Sequence, residues 1–217
     1  QFIQLDVFTE RPGGGNPLGV VIGAEDWSDA RMQAFAAWTD LVETTFLLPA
    51  TAPDASYRLR IYTPTREIPF AGHPTIGSAH AAIDCEFAEP VAGAVLQQCR
   101  GGLVPLRVVG SGAERRLFLQ SPDARIIAEG LDADPQLRFV LADRQLGRLG
   151  VALVSGGRNW WMAELADEAQ VRGWHPKHDA IAEAMSRSLA PGSGIGGKPS
   201  VRAPPAAPNT HTWLSLL

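Results

Sequence analysis

A helix built almost entirely of small residues limits what this chain can fold into more than any other feature. It follows the run Ala71-Gly72-His73-Pro74 and contains Gly77-Ser78-Ala79. Proline is favoured at the start of a helix, which predicts a helix over 74–83 with His73 at or near its N-cap. A helix of this kind is marginal on its own in water. We therefore expect it to pack tightly inside a sheet or barrel.

The residue pattern in the rest of the chain predicts mainly short strands. Ile3, Leu5 and Val7 alternate with polar residues, which is typical of a half-buried strand. Ser28 has the chemistry of an N-cap, so it predicts a second helix in the first half. Further strands are predicted at 18–22, 44–48, 57–62, 103–109, 116–120, 137–142, 150–154 and 160–165, and a third helix at 179–189.

These elements predict an α+β protein in three parts. The first is an N-terminal lobe over 1–112, and the second is a partial C-terminal lobe over 113–189. From Pro191 the chain is rich in glycine and proline, which disfavour regular elements. Residues 190–217 are therefore expected to form an irregular tail.

Composition excludes several classes of function. The net charge is −4, so a nucleic-acid partner is not expected. No apolar run approaches the roughly 20 residues that span a bilayer, and the first residues lack a basic leader segment. With 45% hydrophobic residues the chain has enough apolar material for a core. We expect a cytoplasmic protein with no membrane association.

Most familiar catalytic motifs are absent from the sequence. The glycines at 13–15 lack the Gly-Lys-Ser/Thr ending of a phosphate-binding loop, and Ser155 is not in a Gly-x-Ser-x-Gly turn. The histidines have no metal-ligand spacing, so no metal site is expected. Cys85 and Cys99 are interpreted as ordinary reduced thiols.

Glu43 and His73 are the candidates for acid–base chemistry. Taken alone, Glu43 is compatible with a solvated loop charge and His73 with a simple helix cap. A helix N-terminus, however, offers backbone N–H groups and a positive dipole end to a substrate carboxylate. Gly72 would let that substrate approach the backbone. A carboxylate and an imidazole at such a site could remove a proton from carbon and return it elsewhere.

The first half of the chain resembles the PhzF-like, or phenazine-biosynthesis-like, family of isomerases. The resemblance rests on several blocks in the same order, from Leu5 to Ile83. A weaker likeness continues at 154–161 and at 197–200. The main blocks are Asp6-Val7-Phe8-Thr9, Gly15-Asn16-Pro17-Leu18-Gly19, Glu43-Thr44-Thr45-Phe46, Tyr57-Arg58-Leu59-Arg60-Ile61-Tyr62 and Phe70-Ala71-Gly72-His73-Pro74-Thr75.

The resemblance implies a diaminopimelate epimerase-like fold, in which two pseudo-symmetric lobes wrap mixed strands around a central helix. It implies a homodimer that uses no cofactor and moves a proton between carbons of a small carboxylated cyclic metabolite. Glu43 matches the residue understood to carry that proton. Gly72, His73 and Pro74 match substrate-site positions, and Asn16 matches a position beside the site.

The second half departs from this family pattern. Family members carry a motif of the type Asp-Pro-x-Thr-Gly-Ser that opens the second central helix, and this chain has no such motif. Two hypotheses follow. The chain is either a cofactor-independent isomerase with an incomplete second lobe, or a catalytically inactive small-molecule-binding or dimerisation protein of the same fold.

Overall fold

Strands account for most of the regular structure in the first part of the chain. The structure is a computed structural model and describes residues 1–120, 123–155, 159–188, 201–202 and 212–216. The chain divides into two compact units, Gln1–Gln120 and Ser121–Leu217. Among the described residues, no helix has the length and apolar character needed to cross a membrane.

The first unit contains one eight-stranded mixed sheet and two helices. Along the sheet the strands run in the order β1-β2-β3-β4-β6-β7-β8, and β5 pairs with β4. Neighbouring strands are antiparallel except for the parallel pairs β2–β3 and β4–β6. The elements are β1 (Phe2–Val7), β2 (Asn16–Ile22), α1 (Asp29–Thr39), β3 (Glu43–Leu48), β4 (Tyr57–Tyr62), β5 (Glu67–Ile68), α2 (Gly72–Asp84), β6 (Ala94–Cys99), β7 (Gly102–Val109) and β8 (Arg116–Leu119).

The small-residue helix is α2, and it packs closely on one face of this sheet, as the sequence predicts. Its buried residues include Gly77, Ala79 and Ala82, which share a core with Leu18 of β2 and Leu47 of β3. A Cβ placed on Gly77 would lie 2.6 Å from Leu18 Cδ2. The helix can approach the sheet this closely because no larger side chain stands between them.

The other face of the sheet is covered by α1. Ser28 caps this helix by accepting a hydrogen bond from the Arg31 backbone at 3.3 Å, which confirms the predicted N-cap. Met32 of α1 packs with Phe46 and Leu48 of β3 in a second core. Strand β3 is buried along its whole length because it is covered on both faces.

The second unit is built around a five-stranded sheet. Its strand order is β12-β13-β11-β10-β9, and Trp161 is the largest side chain of its core. Trp160, the neighbour of Trp161 on the strand, is half-buried. The elements are β9 (Arg125–Glu129), α3 (Pro135–Val140), β10 (Leu146–Ser155), β11 (Asn159–Leu165), α4 (Glu168–Arg172), α5 (His178–Ser188), β12 (Val201–Arg202) and β13 (Thr212–Leu216).

One predicted element of the second half needs correction. The predicted strand at 137–142 is wrong, because helix α3 occupies most of it. Asp134 caps this helix by accepting a hydrogen bond from Gln136 N at 2.9 Å, and Pro135 fixes its first turn. These start signals outweigh the strand-like apolar run. The strands β6 and β9 were not predicted.

The expected boundaries also differ from the structure. The first unit extends to Gln120 instead of 112, because β8 pairs with β7 and completes the sheet. Within the expected tail of 190–217, the segment Thr212–Leu216 forms a strand paired with β11. Threonine, tryptophan and leucine in this segment suit a strand, which the nearby glycine and proline obscured. The stretches 189–200 and 203–211, including the resemblance at 197–200, lie outside the described residues.

Candidate functional site

Glu43 is the first residue of β3 and not part of a loop. It pairs with Leu18 in the parallel ladder between β2 and β3, and only 8% of the residue is exposed. The interpretation of Glu43 as a solvated loop charge is therefore wrong. Glutamate is rarely buried to this degree unless it is paired with another group, so the surroundings of its carboxylate are informative.

The partner of Glu43 in the structure is His73. Its Nε2 atom lies 3.2 Å from Glu43 Oε2, and the two side chains are 9% and 10% exposed. Thirty residues of sequence separate them, so the contact is made by the packing of α2 on β3. A buried carboxylate beside an imidazole is a pair between which a proton can move.

His73 is the second residue of α2, which begins at Gly72. Ala71 is the N-cap and has no side-chain capping bond, and Thr75 N donates to Ala71 O at 3.2 Å as the first turn closes. An α-helix leaves the N–H groups that precede this bond without intrahelical acceptors. Pro74 has no N–H, and Gly72, the first helical residue, offers its main-chain N–H at this helix start.

The space next to Gly72 is open. A Cβ added to this residue would meet no heavy atom within 4 Å. The helix start therefore presents the Gly72 N–H and a positive dipole end beside the Glu43–His73 pair. Such a combination suits a small anionic group that lies against the backbone.

The other two predicted site residues have different placements. Pro74 is buried in the first turn of α2, directly after His73. Asn16 is the half-buried first residue of β2 and pairs with Val7 of β1. Because strand residues alternate in direction, Asn16 shares the α2-facing side with Leu18, the ladder neighbour of Glu43.

Buried hydroxyl and amide groups near the pair were not singled out from the sequence. Thr45, two residues after Glu43, has its hydroxyl 2.9 Å from that of Ser78 on α2. Gln97 Nε2 donates to Thr75 Oγ1 at 3.1 Å, and Tyr57 donates its hydroxyl hydrogen to Gln97 Oε1 at 3.2 Å. Burial raises the pKa of the Tyr57 phenol far above its ordinary value, so it remains a donor. The strand position of Thr45, on the same face as Glu43, was a usable signal.

Comparison with known proteins identifies a family. The family model described as "Phenazine biosynthesis-like protein" matches residues 5–200. "Antisense-enhancing sequence 1" from Schizosaccharomyces pombe is 32% identical over 191 residues, which is 86% of this chain and 64% of that protein. A trans-2,3-dihydro-3-hydroxyanthranilate isomerase from Pseudomonas aeruginosa is 42% identical over 81 residues, which is 37% of this chain and 29% of that enzyme.

Solved structures give the same picture of the fold. A "Predicted Epimerase" from Pseudomonas aeruginosa is 29% identical with a TM-score of 0.70, covering 86% of this chain and 66% of that one. A PhzF family protein from Bacillus anthracis is 21% identical with a TM-score of 0.68 and has 62% of its length covered. The α+β class expected from the sequence is confirmed, and the chain shares the fold of these proteins of known structure. The chain spans less than two thirds of the length of the curated relatives named above.

Proposed function

Because the chain belongs to the phenazine biosynthesis-like protein family, we propose that it is an isomerase that shifts a proton within a small carboxylated cyclic metabolite. Several of its relatives are named isomerases. The observation that carries the proposal is the buried contact between Glu43 and His73 at the start of α2. The proposed reaction needs no redox cofactor, since moving a proton from one carbon to another transfers no net electrons.

In this proposal Glu43 is the general acid/base. Its carboxylate removes a proton from one carbon of the substrate and delivers it to a second carbon of the same molecule. His73 holds the carboxylate through the 3.2 Å contact. The two side chains are 9% and 10% exposed, so a proton held by the Glu43 carboxyl exchanges with solvent before it is delivered, and product formed in heavy water carries deuterium.

The substrate carboxylate binds at the start of α2. The Gly72 N–H and the positive end of the helix dipole attract a negative charge there, and the open space at Gly72 admits it. Pro74 sets the geometry of the turn, and Asn16 contributes an amide at the start of β2. This arrangement holds the substrate by its charged group while its ring carbons remain near Glu43.

Deuterium incorporation tests the role of Glu43. The chain would be incubated in heavy water with a dihydro-hydroxyanthranilate-type substrate, as wild type and as Glu43→Gln. We expect Glu43→Gln to lower incorporation by at least about a hundredfold, the scale of acid–base catalysis. Glu25→Gln is the matched control, because Glu25 is exposed and lies outside the site. Equal incorporation by wild type and Glu43→Gln would exclude Glu43 as the acid/base.

The second candidate is a catalytically inactive protein of the same fold that binds a small molecule or dimerises. It is favoured by the missing second-half motif. Calorimetry with the same dihydro-hydroxyanthranilate-type substrate separates the two candidates. Binding without any turnover by the wild type supports the inactive protein, whereas measurable turnover rules it out.

A further inference from the structure

Two sets of buried hydrogen bonds connect α2 to the sheet beneath the Glu43–His73 pair. The first is the Thr45–Ser78 pair, and the second is the chain Thr75–Gln97–Tyr57. We name these two sets the α2 tethers. We infer that the α2 tethers are positioning elements for the proposed reaction, because they hold α2 where His73 meets Glu43. The inference rests on the proposed function for its catalytic consequence, but its structural part can be tested alone.

All five tether residues are completely buried. The relative exposure of Thr45, Ser78, Thr75, Gln97 and Tyr57 is 0% in each case. A buried polar group without a partner costs free energy, so these groups hold each other in place strongly. Ser78, Gln97 and Tyr57 donate within the two sets, and Thr45 donates to the backbone of β2, which makes the arrangement directional.

The donor directions follow from the number of hydrogens available. The Thr45 hydroxyl donates to the Gly19 carbonyl at 3.1 Å. A hydroxyl has one hydrogen to donate, so Ser78 donates in the 2.9 Å contact with Thr45. Ser78 of α2 is thereby linked through β3 to the backbone of β2. In the second set the Tyr57 hydroxyl donates to Gln97 and the Gln97 amide donates to Thr75.

The apolar part of the interface holds α2 close to the sheet through small residues such as Gly77, Ala79 and Ala82. Apolar packing by itself has no preferred direction. Hydrogen bonds do have one, and they weaken when the atoms move a few tenths of an ångström. The α2 tethers therefore supply the directional part of the contact.

The Glu43–His73 contact tolerates little movement of the helix. The two atoms are 3.2 Å apart, a distance that depends on where α2 lies against β3. A helix rises about 1.5 Å per residue, so a slip of a third of one residue, about 0.5 Å, would change this distance appreciably. Thr45 lies on the same strand as Glu43, and Ser78 on the same helix as His73. The tether thus joins the two elements that carry the pair.

The chain contains a closely matched control for this tether. Thr44 is adjacent to Thr45, is equally buried, and has its hydroxyl 2.8 Å from that of Thr39 on α1. Thr44→Val and Thr45→Val therefore remove the same group from neighbouring buried sites. The first change loosens the contact of β3 with α1, and the second loosens its contact with α2.

The His73 imidazole reports on the result without any need for activity. The whole chain would be labelled with ¹⁵N-histidine, and the His73 ring resonances compared in wild type, Glu43→Gln, Thr44→Val and Thr45→Val. We expect Thr45→Val to move the resonances at least half of the way towards those of Glu43→Gln. Thr44→Val leaves them near wild type, and Thr45→Ser restores them because it keeps the hydroxyl.

Ser78→Ala removes the other side of the tether and keeps the test decisive if Thr45→Val does not fold. An unmoved His73 resonance in Ser78→Ala and Thr45→Val, or an equal movement in Thr44→Val, overturns the inference. If the wild-type protein incorporates no deuterium, the proposed function is rejected, but the effect of the α2 tethers on the His73 resonances still stands. Where turnover is present, kcat for Thr45→Val falls at least tenfold relative to Thr44→Val.

Discussion

Gly72 and Gly77 lie five residues apart on α2 and have opposite surroundings. A Cβ on Gly72 would meet nothing within 4 Å, whereas a Cβ on Gly77 would lie 2.6 Å from Leu18 Cδ2 and 2.7 Å from Val7 Cγ2. Both of those neighbours are buried in the core and cannot move away freely. The same glycine-to-alanine change therefore tests ligand space at one position and packing at the other.

We expect Gly72→Ala to fold normally and to impair the proposed reaction. Its free energy of unfolding should stay within about 1 kcal/mol of wild type, because alanine suits a helix better than glycine. Deuterium incorporation should fall at least tenfold, because the added methyl occupies the space proposed for the substrate carboxylate. Gly77→Ala should instead lower the free energy of unfolding by about 1–3 kcal/mol. Urea unfolding measures the stability of both variants. Unchanged deuterium incorporation by Gly72→Ala would contradict the proposed position of the substrate carboxylate.

At the scale of elements, the far end of α2 is joined to the segment before β8 by a charged cluster. Arg115 Nη2 donates to Asp84 Oδ1, and His80 Nε2 lies 3.1 Å from Asp84 Oδ2. The side chain of Arg115 is 6% exposed, while that of Asp84 is 52% exposed. The hydrogen bond from the Arg115 guanidinium is the main reason that the pKa of Asp84 lies below its ordinary value.

This cluster predicts an acid-dependent effect of Asp84→Asn. Since the pKa of Asp84 is lower in the folded than in the unfolded protein, its contribution is present above pH about 4 and is lost as the pH falls through the folded value. We expect Asp84→Asn to lower the free energy of unfolding by about 1 kcal/mol at pH 7, a figure kept small because Asp84 is half exposed. The difference should shrink at pH 3. Denaturant unfolding of wild type and Asp84→Asn at both pH values measures this difference, and the exposed Asp26→Asn is the control. A difference in the free energy of unfolding that is the same at pH 7 and pH 3 would contradict the argument.

The sequence predicts best those helices and strands in which one buried face gives a regular spacing of apolar residues. Strand β4 matches its predicted range of 57–62, and α2 lies within two residues of its predicted start. Strand β6 was missed because the tight turn at Ala92-Gly93 that leads into it, with both residues at positive φ, lacks the Asn-Gly signal typical of two-residue turns. Strand β9 was missed because Ile126 and Ile127 are both exposed, so it has no alternating pattern.

The candidate site could be predicted only in part, because its geometry is tertiary. Glu43 and His73 were singled out through the family resemblance and the helix start, but their 3.2 Å contact joins residues far apart in sequence. Local pattern gives no distance between β3 and α2. The burial of Glu43 was also hidden, since it depends on a helix on each face of β3. The roles of Glu43, His73, Gly72, Pro74 and Asn16 remain predictions.

At the scale of the whole molecule, each unit has a core of its own. The two apolar clusters around α2 and α1 involve residues of the first unit alone, up to Leu119. The cluster around Trp161 involves residues of the second unit alone. A unit with a complete core of this size is expected to fold without the remainder of the chain.

The fragment 1–120 should therefore fold cooperatively, whereas 1–112 should be less stable. The shorter fragment ends at the boundary expected from sequence and lacks β8, whose Leu117 and Leu119 pack on the α2 core. It also lacks Arg115, the partner of Asp84. Loss of the two leucines alone should cost at least about 2 kcal/mol. Near-ultraviolet circular dichroism and urea unfolding measure the tertiary packing and the stability of both fragments. Equal stability of the two would place the boundary at 112, and a non-cooperative 1–120 would show that the first unit needs the second.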